Sequence, residues 1–133
     1  MASKSSRFTS AILLLFAIYL TGCTGLNGAN ASKAVEGYLK ALVAKDTNQV
    51  VNASCAAWEA SARQELRTFD AVTVSLDKLS CNESGNEGEF ALVACTGKIV
   101  ANYGNEVLEI NLNDLIYKAI EESGEWRMCG YQQ

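Results

Sequence analysis

The chain has 133 residues and a formal net charge of −4 at pH 7, with no histidine and five cysteines. This length suits one compact domain rather than two. An acidic chain without a run of basic residues is a poor candidate for binding nucleic acid or anionic lipid headgroups. The lack of histidine excludes catalysis by a histidine–carboxylate pair.

The first 22 residues have the parts of an export signal. Lys4 and Arg7 form a positive region, and the apolar run at 11–20 follows it. Ten apolar residues are too few to span a membrane, which takes about 20. The stretch Leu20-Thr21-Gly22-Cys23 resembles the lipobox of bacterial lipoproteins. This resemblance implies cleavage before Cys23 and lipid on its sulfur. An ordinary secretory signal and an uncleaved anchor with a chance cysteine are the alternatives.

Cleavage at this point would divide the chain into a signal peptide (1–22), a tether (23–31) and a single domain (32–133). The tether is predicted from its small polar residues, which show no periodicity. Lipid chains on Cys23 would attach the domain stably to a membrane outside the cytoplasm. Because Thr24 is not an aspartate, the resemblance implies the outer membrane in a Gram-negative organism. In other bacteria it implies the outer face of the cell membrane.

Loss of residues 1–22 removes Lys4 and Arg7 from the 11 basic residues and none of the 15 acidic ones. The formal charge of the remaining 111 residues therefore changes from −4 to −6. We interpret this excess as a solvated acidic surface rather than a cation site, and no pattern predicts a cofactor.

The other four cysteines form an even set: Cys55, Cys81, Cys95 and Cys129. In an exported domain of this size, two structural disulfides are expected. No C-x-x-C pair and no histidine is present, so neither a metal site nor a redox site is predicted.

Four cysteines allow three pairings, and the sequence does not decide among them. A simple hairpin register places Cys81 and Cys95 on neighbouring strands but far from opposite each other. We therefore do not expect that pair to be bonded. A bond between Cys55 and a strand cysteine is preferred.

The first half of the domain has the 3.6-residue period of helices. Ser32 is predicted to cap a first helix, Asp46 a second with Gln49 as its capping-box partner, and Ser54 a third. The apolar face of the first helix comprises Val35, Tyr38, Leu39, Leu42 and Val43. The corresponding face of the third comprises Cys55, Trp58, Ala62, Leu66 and Phe69.

After Asp70 the period changes to two, which predicts strands. A strand at 72–77 is followed by a turn-rich connection at 82–88, and further strands are predicted at 90–103, 106–120 and 126–131. Short connections between these strands predict an antiparallel meander. The chain is therefore predicted to be α+β, with two or three N-terminal helices packed on one face of a curved four-stranded antiparallel sheet.

This layout resembles the nuclear-transport-factor-2-like cone, also called the cystatin-like superfold, over residues 32–132. The ending Gly124-Glu125-Trp126-Arg127 is similar to the G-x-W-[KR] closing strand of its small exported members. Relatives of this kind include ketosteroid isomerases, dehydratases, polyketide cyclases and many exported domains of unknown function. The fold alone therefore does not assign an activity.

Enzymes of this kind place a carboxyl at the mouth of an apolar pocket beside a hydrogen-bond donor. Asp114 is the candidate carboxyl because its flanks are apolar, with Tyr38, Tyr103 and Tyr117 as candidate donors. The alternative for Asp114 is a bulge or a solvent-facing position.

Trp58 and Trp126 are candidates for lining a ligand pocket or for the core. We expect a membrane-anchored envelope lipoprotein that binds a small apolar ligand or an envelope protein without catalysis. A small isomerase-like or cyclase-like enzyme using Asp114 is the alternative, and a purely structural or immunity-like role is a third.

Overall fold

The computed structural model describes residues 30–133. The predictions for the signal peptide, for Cys23 and for the tether up to residue 29 lie outside the described residues. The helices are α1 (Ala31–Val43), α2 (Thr47–Ala53) and α3 (Glu59–Arg67). The strands are β1 (Thr73–Glu87), β2 (Phe90–Asn102), β3 (Val107–Asn111), β4 (Ile116–Glu122) and β5 (Glu125–Gln132). The predicted α+β class, with helices that precede an antiparallel sheet, is confirmed.

Helix α1 buries the apolar face that its periodicity predicts. Val35, Tyr38, Leu39 and Leu42 are almost completely buried, and the helix contacts β1, β2, β4 and β5. The predicted cap at Ser32 is wrong. Asn30 caps the helix instead, because its side-chain oxygen accepts hydrogen bonds from the Lys33 amide at 2.9 Å and the Ser32 hydroxyl at 3.0 Å. The helix thus begins inside the stretch predicted as tether.

The cap predicted for the second helix is confirmed. The Asp46 carboxylate accepts hydrogen bonds from the Gln49 amide at 3.1 Å and from the Gln49 side chain at 2.8 Å. The cap predicted at Ser54 is wrong. Ser54 donates its hydroxyl to the Val50 carbonyl at 2.7 Å and forms a parallel bridge with Met128 of β5, so α3 begins only after Trp58.

Strand β1 is longer than predicted. The polar stretch at 82–88 is not a connection, because β1 continues to Glu87 and only Gly88 and Glu89 turn before β2 begins. With this register and a bulge between Glu83 and Gly85, Cys81 lies directly opposite Cys95. The two cysteines form a disulfide with a Cα–Cα distance of 4.1 Å, so the expectation that they would not pair is wrong.

The stretch predicted as one strand at 106–120 is two strands with a 3₁₀ turn (Leu112–Asp114) between them. The Asn111 side chain accepts a hydrogen bond from the Asn113 amide at 3.0 Å and so turns the chain out of the ladder. β3 pairs with 98–102 of β2, and β4 pairs with 91–94 of the same strand. The sheet therefore has five strands rather than four, in the order β1-β2-β4-β5 with β3 also beside β2.

A second disulfide joins Cys55, in the segment between α2 and α3, to Cys129 of β5, with a Cα–Cα distance of 5.1 Å. This pairing agrees with the preference for Cys55 bonded to a strand cysteine. The Cys55 amide also donates to the Met128 carbonyl at 2.8 Å. The segment that precedes α3 is therefore fixed to the last strand by a covalent bond and a hydrogen bond.

Within residues 30–133, none of the helices has both the length and the apolar character needed to cross a membrane.

Candidate functional site

A pocket of about 430 Å³ opens between α3 and the sheet. This volume is within the usual range for small-molecule sites, about 300–1,000 Å³. From the helical half, its lining residues are Leu39, Trp58, Ser61, Gln64, Glu65, Thr68 and Phe69. From the sheet and the 3₁₀ turn they are Ile99, Tyr103, Ile110, Leu112, Leu115, Tyr117 and Tyr131. Most of the wall is thus apolar or aromatic, with a few polar groups on the helical side.

Helix α3 is two-sided, and this explains how it forms both core and pocket. Ala62 and Leu66 are buried in the core. Trp58, Ser61, Glu65 and Thr68 are spaced three, four and three residues apart, which places them on one face of the helix. That face lies along the pocket, so Glu65 is carried to it by ordinary helical geometry.

Glu65 is the centre of a hydrogen-bonded chain of side chains. The Tyr38 hydroxyl of α1 donates to Oε2 of Glu65. The Trp58 indole Nε1 in turn donates to the Tyr38 hydroxyl at 3.4 Å. The Tyr131 hydroxyl of β5 also acts on the Glu65 carboxylate and lowers its pKa. The carboxyl is therefore approached by hydroxyl groups from a helix and from the sheet.

Burial raises the pKa of Glu65, and the hydroxyls of Tyr38 and Tyr131 offset this effect only in part. Burial, followed by the charge of Glu65, also raises the pKa of Tyr38, Tyr117 and Tyr131. These three hydroxyls therefore stay protonated at neutral pH. Among the described residues that line the pocket, none is a lysine or an arginine.

Three aromatic rings line the pocket near the carboxyl, that of Trp58 from the helical half and those of Tyr117 and Tyr131 from the sheet. The rings of Trp58 and Tyr131 have centroids 5.6 Å apart and an interplanar angle of 70°. The rings of Tyr117 and Tyr131 are 5.8 Å apart at 64°. Such edge-to-face packing is the preferred geometry of aromatic pairs. The three rings thus form a folded wall rather than a flat stack.

Some of the site residues predicted from the sequence lie at the pocket, and others do not. Tyr38 and Tyr117 lie beside Glu65, and Tyr103 lines the pocket while remaining 52% exposed. Asp114 does not line the pocket. It is exposed in the 3₁₀ turn, and Leu112 of the same turn and the following Leu115 line the cavity instead.

Of the two tryptophans, Trp58 lines the pocket and Trp126 packs against the core. Sequence reasoning missed Glu65 and Tyr131. The signal for Glu65 was its helical spacing of seven residues from Trp58, which puts both on one face. In the part of the chain that the structure describes, no group of three or more potential metal-ligating side chains is present.

No family model matches this chain, and no curated protein matches it at a significant level. Among solved structures it is similar to the solution structure of RPA3114, a SEC-C motif containing protein from Rhodopseudomonas palustris. The two share 11% identity over 79% of this chain and 80% of that chain, with a TM-score of 0.49. A likeness of this size carries no argument about function.

Proposed function

We propose that this protein is a lipid-anchored binding domain of the bacterial cell envelope that holds a small, largely apolar ligand in the pocket between α3 and the sheet. The observation that carries the proposal is the pocket itself. An apolar and aromatic wall with a few converging polar groups is the usual composition of a ligand site.

The anchoring part of the proposal rests on the lipobox at Leu20-Thr21-Gly22-Cys23. Two disulfides in the described domain suit an oxidising compartment outside the cytoplasm. Setting Cys23 aside for lipid also explains the odd cysteine count. The membrane would be the outer membrane in a Gram-negative organism and the outer face of the cell membrane otherwise.

We also propose membership of the nuclear-transport-factor-2-like cone superfold, with helices on one face of a curved sheet. The order of three helices before an antiparallel sheet supports this assignment. The two proposals are independent, because many different sites occur on one fold.

We favour binding over catalysis, because Glu65 is the single carboxyl among the described lining residues and no lysine or arginine stands beside it as an acid–base partner. The alternative is a small isomerase-like or cyclase-like enzyme. Its catalytic carboxyl would be Glu65 rather than Asp114, because Glu65 lines the pocket. A ligand that is recovered chemically changed after incubation would favour this enzyme.

Native mass spectrometry of the mature protein purified from bacterial envelopes tests the binding function. We expect a co-purified small molecule that is lost when Leu112, a buried pocket residue, is replaced by tryptophan to fill the cavity. The substitution Leu108→Trp, on an exposed position of β3, is the matched control. Retention of the same molecule by both variants would contradict the assignment to this pocket.

Metabolic labelling with a fatty acid tests the anchor. We expect label in the wild type and none in Cys23→Ser, which should accumulate as an uncleaved precursor. Normal labelling of Cys23→Ser would contradict lipidation at this residue.

A further inference from the structure

We infer that the pocket takes a small organic cation, an amine or quaternary ammonium group that carries apolar substituents. This inference rests on the proposed binding function and names the chemical class of its ligand. It follows from the charge of the lining, from its aromatic rings and from a comparison of the Glu65 carboxylate with that of Glu36.

Those two carboxylates differ in the charge of their partners. Glu36 of α1 has its own cations: Lys33 Nζ lies 3.1 Å and Lys40 Nζ 3.9 Å from its Oε2, and the Cys81 amide donates to Oε1 at 3.1 Å. Among residues 30–133, the groups that act on the Glu65 carboxylate are neutral hydroxyls: Tyr38 donates a hydrogen bond to it, and Tyr131 lowers its pKa. A buried carboxylate without a counter-charge is costly, so a ligand that supplies the charge gains that energy on binding.

The aromatic wall suits the same ligand. Trp58, Tyr117 and Tyr131 line the pocket beside Glu65, with ring planes set at 70° and 64° to one another. Aromatic rings attract cations, and they are common partners of quaternary ammonium ligands in proteins. The alkyl or aryl part of such a ligand would contact the apolar side chains Ile99, Ile110 and Leu115.

Other ligand classes fit less well. An anion would be repelled by Glu65, and the lining formed by the described residues offers it no lysine or arginine. A neutral hydrocarbon would fill the apolar part but would displace water from the carboxylate without replacing its charge. An organic cation therefore satisfies the charge, the rings and the apolar wall together.

Two isosteric probes test this inference. Benzyltrimethylammonium and neopentylbenzene differ only in a positive nitrogen that replaces a carbon. Their binding to the mature lipoprotein in zwitterionic nanodiscs is followed by the fluorescence of Trp58, with Trp126→Phe as the common background. We expect the cation to bind about tenfold or more tightly than the hydrocarbon. Glu65→Gln should abolish most of this preference. Asp114→Asn, which makes the same charge change outside the pocket, should leave it intact.

The outcomes separate the inference from the function on which it rests. Tighter binding of the hydrocarbon, or equal binding, overturns the cation inference and leaves a binding pocket. Failure of both probes to change Trp58 fluorescence in the Trp126→Phe background overturns both the cation inference and the binding pocket. If Glu65→Gln does not fold, the preference measured in the wild type still decides, and loss of that preference in Asp114→Asn would also count against the assignment to Glu65.

Discussion

The ring of Trp58 rests on the backbone of Gly130. A Cβ at position 130 would lie 3.4 Å from Cε3 and 3.5 Å from Cζ3 of Trp58. Gly130 also has a φ of +119°, a conformation that L side chains rarely adopt. The neighbouring residue Cys129 is bonded to Cys55, whose carbonyl accepts the Trp58 amide at 3.0 Å. One side of the pocket is therefore built on two consecutive residues of β5.

Gly130→Ala should weaken both the fold and the pocket. The backbone conformation alone costs about 1–3 kcal/mol for a residue with a Cβ, and the added methyl group also lies directly against the Trp58 ring. We expect a lower free energy of unfolding in urea and a shifted Trp58 emission in the Trp126→Phe background.

Gly124→Ala is the matched control. Gly124, in the β4–β5 turn, also has a positive φ, +79°, but a Cβ at this position would have no neighbour within 4 Å. The variant should lose stability without any change in Trp58 emission. An emission shift of equal size in the two variants would show that Gly130 has no special role under Trp58.

The two disulfides should contribute differently to the stability of the fold and to ligand binding. The Cys55–Cys129 bond closes a separation of 74 residues, and the Cys81–Cys95 bond closes one of 14. Loop-closure entropy gives about 4.5 kcal/mol for the first and about 3 kcal/mol for the second. We expect the double serine variant at 55 and 129 to lose more stability in urea. We also expect it alone to lose affinity for a pocket ligand, because, of the two disulfides, this bond is the one that holds the segment before Trp58.

The corresponding double serine variant at 81 and 95 is its control for the loss of a disulfide as such. Weakened ligand binding in both variants, measured below their unfolding transitions, would contradict a local effect on Trp58.

The sequence predicts the elements of this fold where burial follows a simple period. Val35, Leu39 and Leu42 are buried as their 3.6-residue spacing indicates, and the alternation in β2 has the same basis. The β1–β2 hairpin could not be predicted in this way. Its polar end at 82–87 is exposed strand, which has no apolar period, and a bulge between Glu83 and Gly85 shifts the register. The pairing of Cys81 with Cys95 depends on both features.

The candidate site could not be predicted from local spacing in the sequence either. Glu65 lies on a charged helix, and in the sequence it is not distinguished from Glu59, which pairs with Arg63 at 3.0 Å near the surface. What sets Glu65 apart is the approach of Tyr38 and Tyr131, which are 27 and 66 residues away in the chain. Tertiary contacts of this range are not encoded in local spacing. The apolar neighbours of Asp114 make it the candidate carboxyl in the sequence. In the structure the 3₁₀ turn directs those neighbours to the pocket and leaves Asp114 at the surface.

Glu36→Gln should destabilise the domain at neutral pH. Burial raises the pKa of Glu36, but the hydrogen bonds from Lys33 and the Cys81 amide and the charges of Lys33 and Lys40 outweigh it, so the pKa is lowered. Its contribution to stability is therefore present above the unfolded-state pKa, about 4.3, and is lost as the pH falls through the folded-state pKa. We expect a loss of about 1 kcal/mol at pH 7, the difference between a charged and a neutral acceptor.

Urea denaturation from pH 2 to pH 7 measures this effect, and the difference between variant and wild type should shrink toward acid. Glu87→Gln is the control, because the ion pair of Glu87 with Lys118 is at the surface and contributes little. A constant difference across this range would show that the charge of Glu36 is not responsible.

Glu65→Gln should have the opposite effect. Because the pKa of Glu65 is raised, mainly by burial, its contribution to stability is complete below the unfolded-state pKa of about 4.3 and is lost as the pH rises through the folded-state pKa. Above that pH the ionised carboxylate opposes folding. A neutral amide removes this cost while it still accepts the hydrogen bond from Tyr38, so the variant should be more stable than the wild type at pH 7. The difference should vanish in acid.

Benzyltrimethylammonium should reverse this order, because a bound cation compensates the ionised carboxylate of the wild type and has nothing to compensate in the variant. Thermal unfolding with and without the cation at pH 7 measures the reversal, and Asp114→Asn should behave as the wild type. A Glu65→Gln variant that is less stable than the wild type at pH 7 would show that the folded protein already neutralises this carboxylate. The pocket would then have no uncompensated charge to attract an organic cation, and its aromatic rings alone would remain.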